Sequence, residues 1–141
     1  MHPIRKDFDL SKLSEGSVDI SEIKVTFQLW KEKNSVGALI KISGKYGYGS
    51  DGAADAKFIS WRVGEILDHP EYWIRGVVID ISELEYEWGD DIDVEPGKDI
   101  PYLVFLNEHN SEAYSFFIDK TKMRFHLRTA LAEIKDKIKK I

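Results

Sequence analysis

Cysteine is absent from this sequence. That removes disulfides, thiolate nucleophiles and cysteine-ligated zinc or iron–sulfur centres together, and it fits a reducing compartment. No apolar run approaches the ~20 residues that a bilayer demands, so membrane insertion is not expected. The opening Met1-His-Pro-Ile-Arg-Lys-Asp-Phe-Asp9 lacks the apolar stretch and small-residue cleavage site of a secretory leader, so a cytoplasmic location is expected. Positive charge is in deficit, with a formal net charge of −5. An acidic chain is repelled by a phosphate backbone, and nucleic acid is not an expected partner. The four histidines, His2, His69, His109 and His126, are scattered. None has the i,i+4 or clustered spacing of a metal site, nor that of a nucleophile with its base. The reading therefore assigns no catalytic residue, no metal and no cofactor.

What is present suits one core. The chain has 141 residues, 43 % of them hydrophobic and 12 % aromatic. A domain of that size buries roughly 70 % of the surface of its unfolded chain. Residues 1–21 mix charge with serine and Gly16 and keep no period, which reads as a lead-in arm; the folded domain is expected over 22–141. Ile23 to Trp30 alternates apolar and polar residues, the period of a half-buried strand. Lys31 to Gly37 reads as a turn and Ala38 to Ser43 as a second strand, making an antiparallel hairpin.

Four glycines punctuate Gly44 to Gly52. Ala53 to Asp68 then sets Ala56, Ile59, Val63, Ile66 and Leu67 on one helical stripe, with Ser50 or Asp51 as cap and His69-Pro70 as stop. Ile74 to Ser82 and Tyr102 to Leu106 are nearly continuous apolar runs, as in strands covered on both faces. A helix over 111–118, an edge strand over 123–127 and a helix over 129–141 capped by Thr129 complete the order. Trp30, Trp61 and Trp73 sit in or beside apolar runs and are expected to pack in the core or at its rim. The fold class is α/β: a single mixed, mainly parallel sheet with an N-terminal antiparallel hairpin, right-handed crossovers and helices packed on it.

Two constellations could carry function. Gly47-Tyr-Gly49-Ser-Asp-Gly52 spells Gly-x-Gly-x-x-Gly between a strand and a helix, where backbone amides can cradle phosphate. Its distance from Asp80 exceeds the usual ~20 residues, and a plain loop is the competing reading. Glu83, Glu85, Glu87, Asp90, Asp91, Asp93 and Glu95 put seven carboxylates within thirteen residues, with no Lys or Arg among them. Such a run needs solvent, a cation or a basic partner to offset its self-repulsion. It lacks the Asp-x-Asp-x-Asp-Gly order of a calcium loop, while Trp88 within it is the kind of side chain that anchors an interface. Glu108-His109-Asn110 follows a buried strand, where open α/β sheets place ligand crevices.

The run Val77-Val-Ile-Asp80-Ile-Ser-Glu-Leu-Glu-Tyr86-Glu-Trp-Gly-Asp-Asp-Ile92 resembles the central segment of STAS domains, the family of anti-sigma-factor antagonists and transporter tails. Its pattern there is a buried strand ending in Asp-Leu-Ser, an apolar pair, then Asp-Ser-Ser-Gly opening a short helix. The resemblance extends from about Glu22 to the end of the chain. In ungapped register Trp88, Gly89, Asp90 and Asp91 fall on the Asp-Ser-Ser-Gly. It implies a non-catalytic, regulatory protein-interaction module, with Tyr86, Trp88, Gly89, Asp90 and Asp91 touching a protein partner whose surface is basic. The serine phosphorylated in regulatory members falls at Asp90, so this position carries a fixed negative charge or the switch is absent.

A second resemblance is to crotonase-fold enzymes. It rests on Ala38-Leu-Ile-Lys-Ile42, Asp68-His-Pro-Glu71, Ile74-Arg-Gly-Val-Val-Ile79 and Gly89-Asp-Asp91-Ile92, with Asp91 on that family's Gly-x-Asp turn. It implies a small acyl or phosphate ligand. The second glycine-rich turn that supplies backbone donors to a thioester oxyanion is not found after Leu106.

Overall fold

The computed structural model describes residues 22–45, 52–85, 96, 99–115 and 118–140. The chain opens with β1 (Lys24–Glu32) and β2 (Ser35–Lys45), paired antiparallel from Lys24 opposite Ser43 to Glu32 opposite Ser35. The strands are longer and the turn shorter than the alternation suggests. Only Lys33 and Asn34 lie between them, and Lys33 takes a left-handed φ of 56°, so the reversal closes in two residues. Helix α1 (Gly52–Leu67) follows and ends at His69-Pro70 as expected. It leads into β3 (Ile74–Asp80), the two-residue β4 (Leu84–Glu85) and β5 (Tyr102–Phe105). A 3-10 turn over Glu108–Asn110, a single-turn α2 (Ser111–Tyr114), a second 3-10 turn over Lys120–Lys122, β6 (Met123–Arg124) and α3 (Leu127–Lys139) complete the described chain.

The sheet order is β1-β2-β3-β5-β6, with β4 pairing β2 beyond the end of β3. Every pairing except β1–β2 is parallel. The two continuous apolar runs, β3 and β5, are neighbours inside it, with Val77 to Asp80 facing Tyr102 to Phe105. The mixed α/β architecture with one antiparallel hairpin is thus present.

Alternation along the strands splits the core in two. Ala38, Ile40, Val77, Ile79 and Val104 join Ile59, Val63 and Ile66 of α1 on one face. Val78 and Leu103 join Ala130, Ile134 and Ile138 of α3 on the other. Both faces are covered, which is why these strands show no polar alternation.

The edge strand expected over 123–127 spans only Met123–Arg124, and three more local expectations need correction. The helix expected over 111–118 is an α-turn of four residues after a 3-10 turn. The last helix begins at Leu127, with His126 as N-cap and no side-chain cap bond, so Thr129 lies inside it and caps nothing. Of the three tryptophans expected to pack in the core or at its rim, Trp30 is half-buried, but Trp61 is 62 % and Trp73 is 75 % exposed. Trp61 lies off the Ile59–Val63–Ile66 stripe of α1, and Trp73 stacks under the Arg75 guanidinium at 3.9 Å instead of entering the core.

Candidate functional site

The parallel strands all end on one side of the molecule, and the acidic tract begins there. Asp80, the last residue of β3, is buried to 6 % exposure. Its Oδ1 accepts the Ser82 backbone N–H at 2.9 Å and the Ser82 hydroxyl at 2.6 Å. This Asx turn stops the strand and redirects the chain. Leu84 N–H then donates to Ile81 C=O at 3.1 Å, and Leu84–Glu85 settles beside Gly44–Lys45 at the end of β2. Burial of Ile81 and Leu84 holds the turn down.

The Asp-x-Ser motif therefore has a structural meaning here. Asp80 is the acceptor that closes the turn, and the Ser82 proton is spent on it. Sequence reading placed Asp80 at a strand end and left its partner unassigned; an Asp two residues before a Ser is the signal that would have found it.

Charge at this rim is locally arranged. Lys41 lies opposite Asp80 in the β2–β3 register and forms an ion pair with Glu83. The hydrogen bond to Glu83 chiefly, then the fields of Glu83 and Asp80, raise the Lys41 pKa. One carboxylate of the tract thus has its cation within the fold. Glu85 is exposed where the described chain breaks.

Tyr86, Trp88, Gly89, Asp90 and Asp91 lie outside the described residues, as do Gly47 and Gly49. Gly52 opens α1. The residues that precede them are fixed: Lys45 and Glu85 are parallel partners at the ends of β2 and β4.

At the end of β5, Asn107 Oδ1 accepts the His109 N–H at 2.9 Å, and Ser111 Oγ–H donates to Glu108 C=O at 2.8 Å. Glu108 and His109 are exposed, whereas Tyr114 is fully buried. The loop is a stop-and-cap device for α2. His69 accepts the Glu71 N–H at Nδ1 and stacks on Tyr72 at 4.8 Å, while His126 starts α3. The described histidines are thus on separate elements. Among the described residues no group of three His, Asp or Glu side chains could hold a metal ion, and no helix is long and apolar enough to cross a membrane.

No family model matches the chain, and no curated protein does. Solved structures do. The chain is similar to an anti-sigma factor antagonist from Mycobacterium paratuberculosis, with a TM-score of 0.54 and 16 % identity over 80 % of this chain and 96 % of that one. An uncharacterized protein from Shewanella loihica PV-4 with a SpoIIAA-like fold gives a TM-score of 0.44 at 16 % identity, over 79 % of this chain and 94 % of that one. The fold is STAS-like, in agreement with the resemblance read from Val77 to Ile92.

Proposed function

We propose that this chain is a non-catalytic regulatory module that binds a protein partner through the acidic turn Tyr86 to Ile92. The observation carrying this reading is the Asp80–Ser82 turn, which ends a central strand where the acidic tract begins, in a STAS-like fold. Fold alone does not assign function; the charge does the rest. Apart from Glu83, already paired with Lys41, these carboxylates suit a basic patch on the partner, with Trp88 as an apolar anchor. Asp90, where the resemblance sets a phosphorylatable serine, supplies permanent negative charge. The cell interior is the setting that a cysteine-free chain of this kind suits. The crotonase-like alternative gains no support, because the structural similarity lies with the anti-sigma factor antagonist fold.

The test is affinity capture of the partner by the full chain from its own cells, compared with the double variant Asp90→Lys/Asp91→Lys. The wild type should hold one stoichiometric partner at low salt and release it in high salt, as expected where exposed charges dominate. The variant should weaken the complex by about tenfold or more, since charge reversal replaces attraction by repulsion at two positions. Equal retention by both proteins would remove the acidic turn from the interface.

A further inference from the structure

Strand β1 forms one edge of the sheet, and among the described residues nothing pairs with its outer side. A nine-residue edge with free N–H and C=O groups is a template for another strand. Its side chains are unusually self-complementary. The order is Lys24-Val-Thr-Phe-Gln-Leu-Trp-Lys-Glu32, with a cation at one end, an anion at the other and Gln28 at the centre. Phe27, on the α1 face of the sheet, is 42 % exposed, beside half-buried Leu29 on the same face.

We propose that β1 pairs antiparallel with β1 of a second copy of this chain, about a two-fold axis through Gln28, joining the two sheets into one. This centre alone overlaps the whole strand. It sets Lys24 against the partner's Glu32 and Glu32 against the partner's Lys24, a charge match made twice by symmetry. It sets Phe27 against the partner's Leu29, again twice, covering the exposed ring. Gln28 meets its own copy, where two side-chain amides can exchange hydrogen bonds. Shifting the axis by one residue either way leaves strand ends unpaired and sets Lys24 or Glu32 against a neutral side chain. The side-chain parity is also right. Lys24, Gln28 and Glu32 share one face of the sheet and Phe27 and Leu29 the other, so each proposed pair meets on a common face.

A single edge buries little area, so the dimer is weak and concentration-dependent. Glu32 already receives Lys139 of its own α3 at 3.3 Å and would bridge two cations. The proposal stands apart from the acidic-turn reading, since Asp90→Lys/Asp91→Lys should leave dimerisation untouched.

Sedimentation equilibrium of the full chain tests it, over roughly a hundredfold range of concentration up to about 1 mM, the weak end of specific association. Wild type should show a monomer–dimer equilibrium weakened by salt. Lys24→Glu alone and Glu32→Lys alone should each raise the dimer Kd by about tenfold, because like charges then meet twice. An equimolar mixture of the two variants should recover wild-type association, since every facing pair is again opposite in sign. The Lys24 side chain is exposed and forms no ion pair among the described residues, so that variant should keep its circular dichroism spectrum. If Glu32→Lys misfolds through loss of Lys139, Phe27→Lys replaces it and should abolish the dimer. A wild type that stays monomeric, including one whose own residues 1–21 occupy this edge, overturns the proposal. So do charge variants that dimerise like wild type, or folded variants whose mixture fails to recover.

Discussion

Gly76 has no side chain because α3 lies where one would go. A Cβ there would sit 2.8 Å from Ile134 Cγ2 and from both Cγ1 and Cδ1 of Ile138, and both isoleucines are buried. Neither can swing aside without vacating the core between α3 and the sheet. Gly76→Ala should therefore destabilise the protein by about 1–3 kcal/mol, the usual range for overpacking. Urea unfolding should show a lower midpoint at unchanged slope, and an unchanged midpoint would mean that α3 does not press on this position. The same need explains Gly37, over which the Trp30 ring lies. Neither glycine is legible as a packing contact in the sequence: in a strand, glycine signals only that something comes close, and what comes close is more than fifty residues away in the case of α3. Asp80 is the opposite case, since its turn is local and its partner stands two residues on.

Elements were legible in proportion to their length. The runs at 74–82 and 102–106 and the helical stripe at 56–67 depend on burial repeated over many residues, which composition records directly. Strand β4 has two residues and no period; its pairing with Gly44–Lys45 comes from the Asx turn and the burial of Leu84. Helix α3 starts two residues before Thr129, and its second turn is tied to the sheet. Arg124 of β6 grips Glu133 of α3 with three hydrogen bonds of 2.8–3.2 Å and donates to Thr121 C=O and Met123 C=O as well. The Arg124 hydrogen bond is the main reason that the Glu133 carboxyl titrates below its ordinary value of 4.5. A carboxyl whose native pKa is lowered contributes stability that is complete above 4.5 and lost as pH falls through the native value. Glu133→Gln should cost about 0.5–1 kcal/mol at neutral pH, as for a solvent-screened ion pair. Its difference from wild type should shrink as pH falls below 4.5 and through the lowered native value, where the carboxylate becomes protonated in wild type too. Denaturant titrations across that range decide it, and a pH-independent gap would deny the ion pair its role.

For the molecule as a whole, the order of strands and helices was readable and the roles of its loops less so. Charge and glycine patterns mark where the chain leaves the core, but not what it meets there. Gly47, Gly49 and Gly52 illustrate this, since the same spacing suits a phosphate cradle and a plain connection. The interaction-module reading predicts that nucleotides and coenzyme A derivatives produce no thermal shift in the full chain. A ligand bound at 100 times its Kd should add about 2.7 kcal/mol to stability, so a clear upward shift would restore a small-molecule role to this loop.

The pairing of Lys45 with Glu85 bears on how such experiments are read. These two residues, forty positions apart along the chain, are partners in one ladder, so a substitution beside either bears on the anchorage of the other. Substitutions in the glycine-rich stretch and in the acidic one should consequently be analysed as a coupled pair, in double-mutant cycles, and not as two separate addresses on the surface.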